Sequence, residues 1–335
     1  MTGLATEPAP TGAELDPRLE QHRRELTAYS YRMLGSAFEA EDAVQETMIR
    51  AWRGLAGFDG RASLRSWMYR IATNVCLDML KGRKRRALPM DLTAAGEPVA
   101  EALGTPLDAT AWVEPIADTS VLPAAGDPAD TAVARESIRL AFVAALQHLP
   151  PRQRAVLILR EVLDWPARDV AALLEIGVAA VNSALQRARA TLREQLPPGR
   201  REEWAARATT DAERELLAGF IDTHERGDID GALALIADDV RVTMPPQPLL
   251  YEGIDAITGL MRSAFASDTF GEWRLVPTRA NRMPAAASYL RRPGETEFRA
   301  FKIDVLRVRH GKIAEITTFD ATLFEAFGLE RVLRV

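Results

Sequence analysis

Cysteine is nearly absent from this 335-residue chain: Cys76 stands alone, so no internal disulfide can form. With one cysteine and four histidines, neither a four-cysteine nor a two-cysteine, two-histidine zinc site can be assembled, and no metal or other cofactor is expected. Long apolar runs are missing too. No stretch of about 18 apolar residues occurs, which argues against a membrane span. The opening MTGLATEPAPTGAELDP lacks the basic start and apolar core of a secretion signal. A reducing cytoplasm is the expected compartment. Positive charge is not in excess either, with 42 Lys and Arg against 47 Asp and Glu and a net charge of −5. Coating nucleic acid non-specifically needs a widespread positive field, so any nucleic-acid contact must be local.

What is present divides the chain into parts. Residues 1–16, rich in Pro, Ala and Gly, read as a disordered tail. Helical periodicity fills 17–87, with a break in the Gly54 to Gly60 loop. From Leu88 to Asp130 six prolines interrupt any helix and no Lys or Arg occurs, so 88–131 read as an acidic, flexible linker. Its acids are Asp91, Glu97, Glu101, Asp108, Glu114, Asp118, Asp127 and Asp130. Helical periodicity returns over 132–197 and stops at Pro197-Pro198. A charged connector, 198–210, leads into 211–330. There, helices are expected at Asp211 to Arg226 and Asp228 to Ala237. Strands are expected at Val240 to Met244, Trp273 to Arg279, Ala285 to Arg291, Phe298 to Arg309 and Lys312 to Phe319. His310-Gly311 joins the last two as a hairpin turn.

Two segments carry chemistry. In ASLRSWMYRIATNVCLDMLKGRKRR, Leu64, Trp67, Met68, Ile71, Val75 and Met79 form one apolar stripe. The other face carries Arg65, Tyr69, Arg70, Asn74, Asp78 and Lys81, and the helix runs into Arg83, Lys84, Arg85 and Arg86. An amide beside an aromatic ring and a cationic cluster suits single-stranded DNA: the amide reads a base edge while the cations hold the backbone. A basic helix end also complements the helix dipole, which is the competing reading. Upstream, EAEDAVQETMIRAWRGL buries Ala43, Val44, Thr47, Met48 and Ala51. It presents Glu41, Asp42, Gln45, Glu46 and Arg50, a face able to dock a partner.

The second segment, DVAALLEIGVAAVNSALQRARATLR, has the spacing of a helix-turn-helix, with its turn at Glu175 to Gly177. Val181, Leu185, Ala188 and Leu192 make its buried stripe. Asn182, Ser183, Gln186, Arg187, Arg189 and Arg193 point outward, and the small Ala179 and Ala180 permit close approach to bases. Asn and Gln suit adenine and Arg suits guanine or phosphate, as a reader of the major groove requires. An ordinary helical hairpin with a solvated basic face would share the pattern.

Together these two segments resemble the second and fourth regions of a sigma-70-type sigma factor of the extracytoplasmic-function group. The resemblance implies that EDAVQETMIRAW grips core RNA polymerase through Asp42, Gln45 and Glu46. It implies that Asn74, Asp78 and Arg83, Lys84, Arg85 and Arg86 serve the −10 promoter element. It further implies that Ala180, Asn182, Ser183, Gln186 and Arg187 contact the −35 element. One departure is the turn Glu175-Ile176-Gly177-Val178, which lacks the hydroxyl that usually caps the recognition helix; the expected cost is a few tenths of a kcal/mol.

Residues 211–330 resemble a SnoaL-like domain, whose curved sheet and helices enclose a cone-shaped pocket; VTMPPQPLLYEGIDAI and FKIDVLRVRHGKIAEITTFDATLFEAFGL carry the likeness. The resulting fold class is multidomain: two all-α domains followed by an α+β domain that regulates them in cis. No catalytic residue of its own is expected. An isomerase or cyclase with a DNA-binding arm, using Asp222, His224, Tyr251, Asp304 or Asp320, remains open, as do a pocket that senses a small ligand and a plain helix-turn-helix repressor. The short connector gives the third domain a high effective concentration for the helical part, so packing between them is expected.

Overall fold

The computed structural model describes residues 16–92, 106–108, 110–122, 137–195, 211–265 and 271–333. The first domain contains α1 (Pro17–Glu20), α2 (Arg23–Leu34), α3 (Ala37–Gly54) and α4 (Leu64–Met79). Gly35, at φ 73°, ends α2 in a conformation that costs a side-chain-bearing residue steric strain. Ser36 and Ser63 then cap α3 and α4, accepting from the amides of Glu39 at 3.2 Å and Ser66 at 3.1 Å.

The short helix α5 (Asp118–Val121) follows in the linker. The second domain contains α6 (Leu140–Leu146), α7 (Pro151–Leu157), a π turn over Ile158–Val162, α8 (Ala167–Leu174) and α9 (Val178–Gln195). Its core is continuous with that of the first: Met68, Tyr69 and Val75 share one cluster with Leu146, Leu159, Trp165 and Val170. Each buried Leu, Val or Met there contributes about 1.5–3 kcal/mol, so the two helical domains are packed by apolar burial as well as tethered.

The third domain has α10 (Asp211–Arg226), α11 (Ile229–Leu235) and α12 (Ile254–Ala264) against a seven-stranded sheet. The strands are β1 (Ile236–Thr243), β2 (Leu250–Glu252), β3 (Glu272–Ala280), β4 (Met283–Arg291), β5 (Phe298–Arg309), β6 (Lys312–Asp320) and β7 (Val332–Leu333). Their order is β2-β1-β6-β5-β4-β3, with β7 added to β5. Among the described strand pairs only β1–β6 is parallel. His310 and Gly311, both at positive φ, form the β5–β6 turn, as a two-residue hairpin needs. Helices α10 and α12 cover one face of the sheet; the other face, through Tyr289 and Ile303, and the helical turn after β6, through Phe324, reach the linker residues Trp112 and Ala117.

Candidate nucleic-acid interface

The axes of α8 and α9 meet at 101°, within the range of a helix-turn-helix. Glu175 turns the chain at φ 55°, and the Gly177 carbonyl accepts the amide of Val181, in the first turn of α9, at 3.1 Å. Val181, Leu185, Ala188 and Leu192 are buried, joined by Ala184. Ala180, Asn182, Ser183, Gln186 and Arg187 all lie on the exposed face, and Val178 at the helix start is 45% exposed. Arg189 pairs with Glu161, leaving the base-reading candidates on a continuous outer strip.

In the first domain α3 buries Ala43, Val44, Thr47, Met48 and Ala51, and exposes Asp42 and Gln45. Glu46 is half-buried and bonded to Arg50 at 2.6 Å. On α4, Asn74 and Asp78 are exposed, Asp78 beside Lys81 at 2.7 Å. Two residues depart from the periodic reading. Tyr69, expected on the wet face, is fully buried: its hydroxyl donates to Glu25 at 3.1 Å and its ring lies 5.0 Å from that of Trp165 in the second domain. Arg86, expected in the cationic cluster, is only 6% exposed and donates to the Trp112 carbonyl at 2.8 Å while pairing with Glu39 at 3.0 Å. Its neighbours are engaged as well: Arg83 pairs with Glu39, and Arg85 meets Nδ1 of His148 in the second domain at 2.7 Å. Lys84 is exposed.

The linker departs furthest from expectation. Residues 110–122 form a strap wedged between the three domains, with Val113, Ile116, Ala117 and Val121 buried. Glu114 is buried, its side chain accepting from Ser36 at 2.5 Å and its carbonyl from the Tyr31 hydroxyl at 2.7 Å. Asp118 is buried too, accepting from Nε of Arg279 at 3.0 Å and from the Arg282 amide at 2.7 Å. These two acids are structural contacts, not parts of a solvated tether. Asp91 and Asp108 lie among the described residues; Glu97, Glu101, Asp127 and Asp130 lie outside them.

At the centre sits Asn281, fully buried at φ 52° in the β3–β4 turn. Its Nδ2 donates to the Tyr31 hydroxyl at 2.8 Å and the Ile138 carbonyl at 2.7 Å, while its Oδ1 accepts the Ile116 amide at 3.0 Å. One carboxamide thus joins the first domain, the second domain's leading segment, the strap and the sheet. The surrounding apolar cluster has the same membership: Ala28 and Tyr31, Val113 and Ile116, Ile138 and Val143, with Met283 and Ala326 packed on it.

The third domain encloses a cavity of about 550 Å³, lined by His224, Asp304 and Asp320 among the candidate catalytic residues. Asp222 and Tyr251 do not line it: Asp222 is exposed and paired with Arg226, and Tyr251 is buried opposite Val242. Asp304 is surrounded by donors, with Lys302 at 2.9 Å and Thr318 at 2.6 Å, so its oxygens are poorly placed to take a substrate proton. Asp320 accepts from the Thr322 amide at 2.9 Å, capping the turn after β6. Among the described residues no group of three or more His, Cys, Asp or Glu gathers to hold a metal ion.

Comparison with known proteins yields three family matches: sigma-70 region 2 over residues 19–86, sigma-70 region 4 over 139–192 and a SnoaL-like domain over 217–316. The ECF RNA polymerase sigma factor SigG of Mycobacterium tuberculosis is 44% identical over 311 residues, covering 92% of this chain and 82% of the relative. The ECF RNA polymerase sigma factor SigW of Bacillus subtilis is 32% identical over 166 residues, covering 50% of this chain and 80% of the relative. The crystal structure of the M. tuberculosis extracytoplasmic function sigma factor SigJ superposes with a TM-score of 0.56 at 21% identity, covering 94% of this chain and 99% of that one, a likeness of fold. No single described helix is long and apolar enough to cross a membrane.

Proposed function

We propose, from the premise that the chain belongs to the extracytoplasmic-function RNA polymerase sigma factors, that its structure is the closed resting form of such a factor, held shut by its C-terminal SnoaL-like domain. A member of this family binds core RNA polymerase and directs it to promoter DNA to begin transcription. The closed reading follows from geometry. The −10 and −35 elements lie about 25 base pairs apart, which is about 85 Å of B-form DNA at about 3.4 Å per pair. Two touching domains of this size span only about 55 Å. Domains that share one core, with Tyr69 and Trp165 rings 5.0 Å apart, must therefore separate before both elements can be read.

The observation that carries the proposal is Asn281, a residue of the third domain whose side chain bonds groups of the other two and of the strap. On this reading Asp42, Gln45 and Glu46 bind core polymerase, and Ala180, Asn182, Ser183, Gln186 and Arg187 bind the −35 element. Asn74, Asp78, Arg83, Lys84, Arg85 and Arg86 serve the −10 element, with Arg85 and Arg86 released when His148 and Trp112 move away. The domain boundaries then follow function: 17–87 and 132–197 read DNA and 211–330 restrain them. The third domain acts as a regulator and not as an enzyme, and the chain works in the cytoplasm beside its polymerase.

Run-off transcription with core polymerase tests this, comparing the full chain, Asn281→Gly and a truncation ending at Thr210. The closed reading expects both altered chains to start transcription at lower concentration than the full chain. Equal activity of all three removes the cis restraint; failure of all three to bind core polymerase removes the sigma-factor roles of the named residues.

A further inference from the structure

The tip of the helix-turn-helix is bare of polar side chains. Gly177, Val178, Ala179 and Ala180 are all exposed, and no charged residue precedes Arg187 in α9. Val178 is 45% exposed; apart from Phe38 and Trp52 on α3, no other large apolar residue among the described ones is so open to solvent. Its side chain lies outside the apolar cluster that holds Val181, Leu185, Ala188 and Leu192. A β-branched residue also gains little at an open helix start, where acidic side chains would complement the helix dipole. Folding alone therefore gives no reason for a valine at this position.

Gly177 gives a second, separate sign. It is not among the described glycines at positive φ, and a Cβ built on it would meet nothing within 4 Å. Neither backbone conformation nor crowding inside the protein calls for glycine there. What the missing side chain does provide is close approach of another molecule to the turn. Beyond the tip, Val178, Asn182 and Gln186 stand in one exposed row at steps of four residues. Each step rises about 6 Å along the helix, close to two base pairs of B-form DNA at about 3.4 Å per pair. The bare tip is thus continuous with the proposed base-reading strip and puts an uncharged, apolar contact at its leading end.

We propose that the tip Gly177–Ala180 enters the major groove with its backbone close to the base edges, and that Val178 seats against the C5-methyl group of a thymine in the −35 element. In the major groove thymine alone among the four bases offers a methyl group. The edges of the other bases present donors and acceptors, which an isopropyl group would desolvate without pairing. The inference rests on the reading of α9 as the −35 reader. To that reading it adds a specificity-determining residue that selects its base without a hydrogen bond.

Holoenzyme assembled from the full chain and core polymerase would first select promoters from a duplex library randomised at both elements. Each thymine of the retained −35 element is then replaced singly by deoxyuridine, which removes the methyl group and leaves every hydrogen-bonding group in place. One thymine, within about two base pairs of the pair sensitive to Asn182→Ala, is expected to lose about fourfold in affinity, the worth of one buried methyl group. With Val178→Ala the thymine and deoxyuridine forms should bind alike. Only the ratio of the two DNAs is read, so a general loss of folding or binding in the variant cancels. A retained −35 element without thymine, tolerance of deoxyuridine at every position, or a methyl effect that survives Val178→Ala overturns the proposal and leaves α9 as the −35 reader. If no sequence is retained at all, that reading of α9 fails and the proposal with it.

Discussion

The two proposed nucleic-acid faces of this chain are held in opposite states. The proposed recognition helix α9 offers Asn182, Ser183, Gln186 and Arg187 to solvent on a framework that is already built. The basic cluster after α4 is tied down: Arg83 and Arg86 to Glu39, Arg86 also to the strap, and Arg85 to the second domain. The difference teaches where control is exerted. A reader that works as a rigid insert into a groove needs no gate of its own, whereas cations that grip melted DNA are easily neutralised by carboxylates and carbonyls that compete for them. On the proposed reading the strap and the third domain restrain the second kind of face, and the packing of the domains keeps the first kind too near to it.

Removing the hub should break this asymmetry most strongly. Asn281→Gly keeps the positive φ, which glycine adopts freely, but strands the buried Ile138 carbonyl and Ile116 amide. At about 1–3 kcal/mol for each unsatisfied group the closed form should lose about 2–6 kcal/mol, read by urea unfolding and by proteolysis of the strap. Asp118→Ala removes the acceptor of the Arg279 side chain and the Arg282 amide from a buried site, and about 1–3 kcal/mol is expected by the same measurements. A loss no larger than that of an exposed Asp→Ala control would show that the strap is not held there.

The open face is tested by Arg187→Ala, which should cost about 1–3 kcal/mol of discrimination at one −35 position in competition binding while leaving core-polymerase affinity alone. Glu39→Gln sharpens the contrast from the other side. By releasing Arg83, while Arg86 keeps its bond to the Trp112 carbonyl, it should raise non-specific DNA affinity and steepen its salt dependence by about one unit of slope; an unchanged slope would mean that the Glu39 pair does not restrain Arg83.

The smallest effect concerns pH. Burial raises the Glu114 carboxyl above its ordinary value, against the Ser36 hydrogen bond and the Arg86 charge, which lower it. A group raised in the folded form favours that form when protonated. The strap should therefore be most firmly seated below the ordinary glutamate range, and lose that contribution as pH rises through the raised value. Strap proteolysis across this window should show the trend in the full chain and not in Glu114→Gln.

Much of the fold was legible in the residues because periodicity reports burial directly. The stripes of α3 and α9, the helix at Asp211–Arg226 and the His310-Gly311 hairpin all stand where their spacing put them. What escaped the pattern depends on partners far away in sequence. Tyr69 reads as solvent-facing only if the first domain is considered alone; the second domain's Trp165 buries it. Proline and acidic content made 88–131 look like a tether, although the apolar residues Trp112, Val113, Ile116 and Val121 were a signal of packing within it. Asn281 gave no pattern beyond a turn-forming residue between two strands, since a hub is defined by groups 143 to 250 residues away. The outward residues of α9 were readable, because exposure on one helix needs no knowledge of the rest.

The central claim is that the chain rests closed and opens to read a promoter. Fluorophores at Arg24→Cys and Ala190→Cys, both exposed positions, would report the separation of the two helical domains by energy transfer. Cys76 should stay unlabelled, being fully buried with its thiol pushed up to about 12. The account predicts high transfer in the free chain and a marked fall when core polymerase and promoter DNA are added. Low transfer in the free chain, or transfer unchanged in the promoter complex, would contradict it.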